Sequence, residues 1–330
     1  MPTRGRVPRT VFYIQGLGRA GKSPKPGEAD SERGRQREPH NRLWCCVGCL
    51  KQIIEQSVYL DFQPDAPLHL GPEYGEIRMM DQITLKGKPI RLAVLDYGLF
   101  EVHSGPRTIG ICGFAIQTDA GEVVLIDTGF PAKYVTDAEA ATAEDLLGSF
   151  GRVLTITPVN TPDAQLAKLG MSKRDVTLMI QSHTHIDHVG DMNGFPGVPI
   201  LIAKAERDLP RPLYWSGKQA MEWPDRPFYP VTQDLTLAPG FEVLLCPGHA
   251  PGQLAFMVKL PDTGWVLLTS DAISRASEID EGFAGSWDVP LAIRHGARLM
   301  QLAQERDALV IFGHSPQQWP TLRKAPDWFT

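Results

Sequence analysis

Large apolar residues are sparse up to about residue 40; from about residue 88 they come in short β-branched runs separated by turn residues. Arg91 to Tyr97, Ile109 to Thr118 and Glu122 to Asp127 read as strands, because short apolar runs bounded by turn-forming residues fit buried strands. Val176 to Gln181, Val198 to Ala203, Phe241 to Cys246, Leu254 to Lys259, Trp265 to Thr269 and Ala308 to Phe312 continue the series. Helical spacing appears over Thr161 to Leu169, which stops at Gly170, and over the amphipathic Val289 to Gln304. Strands interspersed with helices in one segment predict an α/β layered domain over residues 80–330.

Residues 1–79 read as a separate N-terminal arm, largely disordered or the product of a start codon set too far upstream. The first 40 residues are rich in Gly, Pro and Arg and offer too little apolar surface to offset ordering entropy. A short helix is expected around Leu50 to Val58. Gly16 to Ser23 matches both the P-loop and the Gly-x-Gly-x-x-Gly spacing. Pro24, Pro26 and Gly27 follow at once, so the helix whose N-terminal amides must face phosphate cannot propagate. Cys45, Cys46 and Cys49, near His40, lack the second cysteine pair of a closed zinc site.

Charge and cysteine usage narrow the class. The 330 residues carry a net charge of −5, and nine of the Lys/Arg sit within residues 1–40 against four Asp/Glu. The remainder holds 24 basic against 34 acidic residues, which argues against nucleic acid as a partner. No apolar run approaches the ~20 residues needed to span a bilayer. Five cysteines with no disulfide-like framework, and no leader-type apolar stretch at the start, make the cytoplasm the expected compartment.

The chemistry concentrates in Ser182-His183-Thr184-His185-Ile186-Asp187-His188, directly after the strand Val176 to Gln181. Alternate side chains of an extended segment point the same way, so His183 and His185 can converge on one ion while Asp187 and His188 face a second. A His-rich solvated loop is the bland alternative. Against it, His249 follows the strand Phe241 to Cys246, Asp271 follows Trp265 to Thr269, and His314 follows Ala308 to Phe312. Four strand ends thus bring imidazole and carboxylate groups, both suitable zinc ligands, to one sheet edge. His69, His103 and His295 stand alone and read as surface or core residues, with His103 a candidate for the pocket mouth.

These motifs, with Pro247-Gly248-His249, Ser270-Asp271-Ala272, Gly313-His314 and the upstream Leu125-Ile126-Asp127-Thr128-Gly129, resemble the metallo-β-lactamase superfamily. The resemblance implies a four-layer αβ/βα sandwich with a dinuclear metal site at the sheet edges. It implies two Zn2+ per chain, although other divalent metals can occupy such ligands. One ion would take His183, His185 and His249, and the other Asp187, His188 and His314. Asp271 would bridge them, and Asp127 would hold the ligand loop from behind, a turn role being equally open to Asp127 alone.

Two such ions share a hydroxide that can attack a carbonyl or phosphoryl centre, with Asp187 as the catalytic residue carrying a proton to the departing oxygen. The intervals from His188 to His314 are most similar to the N-acyl-homoserine lactonase branch. That similarity implies a hydrolase that opens a lactone ring, N-acyl-homoserine lactone first, and hence quorum quenching. One position departs from it: many members carry a tyrosine three residues after the bridging aspartate, and here stands Ser274. Aryl-ester or organophosphate triester hydrolysis on the same dizinc site is the alternative, and a non-catalytic metal-bound binding protein is the alternative of another class. The segment 204–230, with Tyr214, Trp223, Phe228 and Tyr229, is a candidate lid walling a substrate pocket, or else a packing loop or homodimer contact. Phe283 and Trp287 invite the same two readings. The expected partner is a small-molecule substrate, with no nucleic acid and no membrane.

Overall fold

The computed structural model describes residues 83–330 apart from Ser216. The expectations for the arm, namely the Gly16–Ser23 motif, the Leu50 to Val58 helix, His40, Cys45, Cys46, Cys49 and His69, lie outside the described residues.

Seven strands form one sheet: Pro89–Val102 (β1), Arg107–Thr118 (β2), Val123–Ile126 (β3), Gly151–Thr155 (β4), Leu178–Gln181 (β5), Ile200–Ala203 (β6) and Phe228–Val231 (β7), in the order β4-β1-β2-β3-β5-β6-β7. β1 pairs antiparallel with β2 and β4, and β2 with β3, whereas β3, β5, β6 and β7 run parallel. Five more strands form the second sheet: Leu235–Ala238 (β8), Phe241–Leu245 (β9), Leu254–Leu260 (β10), Gly264–Leu268 (β11) and Leu309–Ile311 (β12), in the order β12-β11-β10-β9-β8.

The period-2 alternation of side chains sorts each strand between two cores. Phe114 and Ile116 of β2, Val124 and Ile126 of β3, and Leu178 and Ile180 of β5 face Leu254, Phe256 and Val258 of β10 in one cluster between the sheets. Their neighbours Ala115, Val123, Leu125 and Met179 face outward, onto Tyr134, Ala141, Leu166, Ile186 and Val189. Those five come from the helices Lys133–Thr136 (α1), Ala138–Glu144 (α2), Pro162–Lys168 (α3) and Ile186–Val189 (α4); Lys204–Arg207 (α5) follows β6. On the second sheet Ala255 and Met257 of β10 and Leu267 of β11 pack outward against Ala292, Leu299 and Ala303 of the long helix Val289–Glu305 (α7), with Glu278–Glu281 (α6) before it. Helix, sheet, sheet, helix is the expected four-layer order.

Every expected strand, and both helices expected among the described residues, are present within a few residues of their limits, and the additions are instructive. β4, β7 and β8 were absent from the sequence reading, and all three are edge strands. Edge strands need only one buried face: β4 exposes Arg152, Leu154 and Thr155, and β7 carries Pro230, which the middle of a sheet would not accept. The short helices α1 and α2 were also missed. Among the described residues no helix is long and apolar enough to cross a membrane.

Candidate metal centre

Four strand ends on one edge of the sandwich supply the cluster. β5 ends at Gln181 and the chain stays extended through His183 to His185, which precedes the first turn of α4 bearing Asp187 and His188. β9 leads to His249, β11 to Asp271 in the 3₁₀ turn Ser270–Ile273, and β12 to His314. Gly248 is obligatory beside His249: its φ is +155°, and a Cβ there would lie 2.5 Å from the Ala292 backbone in α7.

Seven side chains meet as a result. His183 Nε2 and His185 Nδ1 lie 3.0 Å apart, and His185 Nδ1 lies 3.0 Å from His249 Nε2. Asp187 Oδ2 stands 3.5 Å from His188 Nε2 and 3.4 Å from His314 Nε2. Asp271 sits between the two triads, with Oδ2 3.4 Å from His249 Nε2 and Oδ1 3.6 Å from His188 Nε2 and 3.1 Å from His314 Nε2. The sets His183/His185/His249, Asp187/His188/His314 and His183/His188/Asp271 each place their ligand atoms within 4.8 Å of one another.

Neighbouring groups fix which ring nitrogen is free. His188 Nδ1 faces Asp127 Oδ2 at 2.9 Å and His314 Nδ1 faces the Gly110 carbonyl at 2.8 Å, so each Nδ1–H donates outward and leaves Nε2 for the cluster. Asp127, itself in the left-handed region at φ 60°, also accepts from Ser182 N at 2.8 Å and Ser182 Oγ at 2.6 Å. Ser182 in turn accepts from Ser270 Oγ at 2.8 Å and, through its carbonyl, from Leu254 N at 2.7 Å. One serine therefore ties β5 to β3 and to both β10 and the Asp271 turn of the other sheet.

The donor set fits cations. Three imidazole nitrogens converge at hydrogen-bonding distance, and in the tautomers that turn all three lone pairs inward a positive ion relieves the contact. His188 Nε2, His314 Nε2 and Asp271 Oδ1 are buried without an aligned hydrogen-bond partner, which is costly in a site with no ion. Burial and the neighbouring rings push His183 well down, His249 down and His185 to about 3, so these three stay neutral and can ligate. Burial also opposes charge on His188 and His314, but Asp187, Asp127 and Asp271 outweigh it for His188, and chiefly Asp271 for His314, raising the latter to about 9. The carboxylates gain reciprocally: against the penalty of burial, His188 and His314 hold Asp187 at about 2 and Asp271 well below its ordinary range. A cation can replace those two imidazole protons as the counter-charge.

The aromatic residues proposed as pocket walls are placed otherwise. Phe228 lies on β7 and is buried in the outer core, with the Trp223 ring against it edge-on; Trp223 Nε1 donates to the Leu209 carbonyl at 2.7 Å. Tyr214 is buried and donates its phenol proton to Asp145 Oδ2 at 3.1 Å, while its main chain pairs with Thr184 and Ile186. Tyr229 packs against the core between the sheets. Among the described residues of 204–230 these four side chains make the contacts of the packing alternative, and the main chain of Tyr214 braces the ligand loop. At the tyrosine position, Ser274 N donates to Glu278 Oε2 at 2.6 Å and its carbonyl accepts from His314 N at 2.7 Å. His103 is exposed in the turn after β1, and Phe283 is buried against α7, whereas the Trp287 side chain is exposed and its backbone N–H donates to the His249 carbonyl. Sequence reasoning holds Ser182 and Ser270 only as members of motifs, without their roles, and misses Glu206; each acts through a contact distant in the chain that no local spacing encodes.

Known proteins share this plan. The family model of the metallo-beta-lactamase superfamily matches residues 114–314. The N-acyl homoserine lactonase AttM of Azorhizobium caulinodans is 32% identical over 229 residues, covering 62% of this chain and 82% of that protein. Its namesake from Agrobacterium fabrum is 30% identical over 240 residues, covering 66% and 86%. A solved N-acyl homoserine lactone hydrolase, with N-hexanoyl-L-homoserine bound at its catalytic metal centre, superposes with a TM-score of 0.63 at 22% identity, over 73% of this chain and 100% of that one. At that identity the likeness speaks for the fold. The matched span runs from β2 to the last histidine of the cluster and takes in all seven converging side chains, and the chain belongs to the metallo-β-lactamase superfamily.

Proposed function

We propose that the protein is a dizinc hydrolase that opens the ring of N-acyl homoserine lactones, a quorum-quenching activity. The observation that carries the reading is the convergence of His183, His185, Asp187, His188, His249, Asp271 and His314 into two triads joined by Asp271, with orphaned donor atoms pointing inward. The lactonase relatives, of which the chain covers more than four-fifths, support the choice of substrate.

His183, His185 and His249 would hold one ion and Asp187, His188 and His314 the other. Two bound ions would supply Lewis acidity toward the ester carbonyl and would lower the pKa of water to about 7. The chain's own residues do the rest. The side chains of Asp187 and His249 are 18% and 24% exposed and His185 is half-buried, while His188 and His314 are nearly closed off, so the ester approaches from the side of the first three. Asp187 turns Oδ2 to His188 and His314, and its Oδ1 takes the proton of the attacking water and returns it to the ring oxygen as the C–O bond breaks. Asp127 and the Gly110 carbonyl keep the imidazole planes fixed, which saves reorganisation during reaction. Tyr214 cannot stand in for the tyrosine absent at position 274, since Asp145 occupies its phenol.

The test is a panel of acyl-homoserine lactones, γ-lactones, p-nitrophenyl acetate and paraoxon, run on zinc-replete and chelator-stripped protein. Acyl-homoserine lactones should be hydrolysed with the highest kcat/KM, the activity vanishing on stripping and returning with zinc. Preference for paraoxon would move the assignment to phosphotriesters, and silence across the panel would favour a non-catalytic binding protein.

A further inference from the structure

We propose that Glu206 is a positioning residue that sets the spacing between the His183/His185 loop and the His249 loop, and thereby the retention of one of the two ions; this rests on reading the cluster as an ion site. Glu206 lies in α5 and is 0% exposed. It is not among the converging ligands, so its buried carboxyl group has some other use. Its two oxygens are divided between two loops. Oε2 accepts from Thr184 Oγ1, and Thr184 stands between His183 and His185; Oε1 accepts from Gly252 N at 3.0 Å, three residues after His249. The Thr184 hydroxyl itself accepts from Leu213 N at 3.0 Å, so its own proton is committed to Glu206. Carboxylate clasp and hydroxyl thus form a chain of donors and acceptors with each member's direction fixed.

Gly252 shows that the close approach is built in. A Cβ at that position would stand 2.4 Å from Glu206 Cγ and 2.7 Å from Ala203 Cβ, so any larger residue pushes the His249 loop away from α5. The backbone there needs no positive φ; space alone requires glycine. The second triad is held by other means, His188 by Asp127 and His314 by the Gly110 carbonyl. Loosening the Glu206 clasp therefore acts on the His183/His185/His249 ion first. A glutamine fills the same volume and can keep its oxygen on Gly252 N–H, but its amide N–H2 then meets the Thr184 hydroxyl, which must accept where it donated, so the charge-assisted bond is lost and the hydroxyl proton is left without its acceptor.

The experiment compares wild type, Glu206→Gln, Thr184→Val and Thr184→Ser, each loaded with zinc, desalted and counted for metal, then followed during zinc release to a chelator. Cobalt-substituted samples report the ligand geometry by visible absorption. Glu206→Gln and Thr184→Val should release one of two equivalents at least about tenfold faster than wild type and the other at the wild-type rate, the scale on which supporting hydrogen bonds act at metal sites. The cobalt spectrum should change in the bands of one site only, and Thr184→Ser, which keeps the hydroxyl, should match wild type. Unchanged release, equal acceleration of both ions, or a Thr184→Ser variant as leaky as Thr184→Val would each overturn the inference. If Glu206→Gln fails to fold, the Thr184 pair decides alone. A wild type that takes up no zinc would sink the ion-site reading itself and this inference with it, whereas two retained equivalents with no variant effect would sink this inference only.

Discussion

Asp127 accepts three hydrogen bonds from donors only, Ser182 N, Ser182 Oγ and His188 Nδ1, and that pattern predicts what its amide would do. Asp127→Asn places an N–H2 against a buried donor and removes the charge that orients His188. Zinc titration of the variant should show affinity lower by about 10–100-fold, and urea unfolding a loss of about 1–3 kcal/mol; wild-type values in both would show that Asp127 is only a turn former. Ser270 makes a second case. Its φ is 44°, where a side chain is strained, yet its hydroxyl holds Ser182 Oγ at 2.8 Å. Ser270→Gly trades strain relief for the lost bond and should leave the unfolding free energy within about 1 kcal/mol of wild type, whereas Ser270→Val gains nothing and should lose more than about 1 kcal/mol. Equal losses in the two variants would contradict this balance. The seven candidate ligands stand out in the sequence because metal ligation favours His and Asp and because each group of them follows an apolar run. Ser182, Ser270 and Glu206 do not, since serine and glutamate suit too many settings and their partners lie 88, 88 and 22 or more residues away.

At the scale of elements, what the sequence revealed follows burial. Strands with both faces covered, such as β3 and β5, announce themselves as unbroken apolar runs. The edge strands β4, β7 and β8 need only half that signal and were lost in it. The two readings of the 204–230 segment stay open in the sequence for a related reason: aromatic residues among prolines look alike whether they wall a pocket or fill a core, and here Phe228 and Tyr214 are buried. Loop and helix are interlocked on the second sheet, where Asp288 caps α7 by accepting from Leu291 N at 2.9 Å and donates its own N–H to the Gly248 carbonyl at 2.8 Å. Gly248 is pressed against Ala292 in the same helix. Gly248→Ala should therefore force the His249 loop off α7 and lower zinc affinity as well as Tm, while Asp288→Ala, losing only the cap, should cost about 1 kcal/mol with zinc stoichiometry unchanged. Metal counting and thermal melts on the two variants separate these effects, and a Gly248→Ala protein with full zinc content and unaltered Tm would refute the packing argument.

Within the described residues the sandwich joins two sheets that each have their own outer helical layer, and the converging side chains come from both: His183, His185, Asp187 and His188 after β5 of the first, His249, Asp271 and His314 after β9, β11 and β12 of the second. Apolar packing of Leu178, Ile180, Phe256 and Leu268 holds the sheets together through most of their length, but at the site edge the faces meet through charge. Without ions, two carboxylates and five rings remain crowded there with buried atoms unpaired. Ions that bind the folded chain and not the unfolded one add stability by mass action, about 2.7 kcal/mol when free metal is a hundredfold above Kd. For a domain of this size each kcal/mol raises Tm by about 2–4 °C, so each site saturated to that degree should lift it by roughly 5–10 °C over the chelator-stripped protein. The rise should grow with zinc concentration and should be largely absent in Asp271→Ala, which lacks the one residue that faces both triads. Melts recorded across a zinc series would show it; a Tm indifferent to zinc in wild type would mean that the two sheets close this edge without any ion between them.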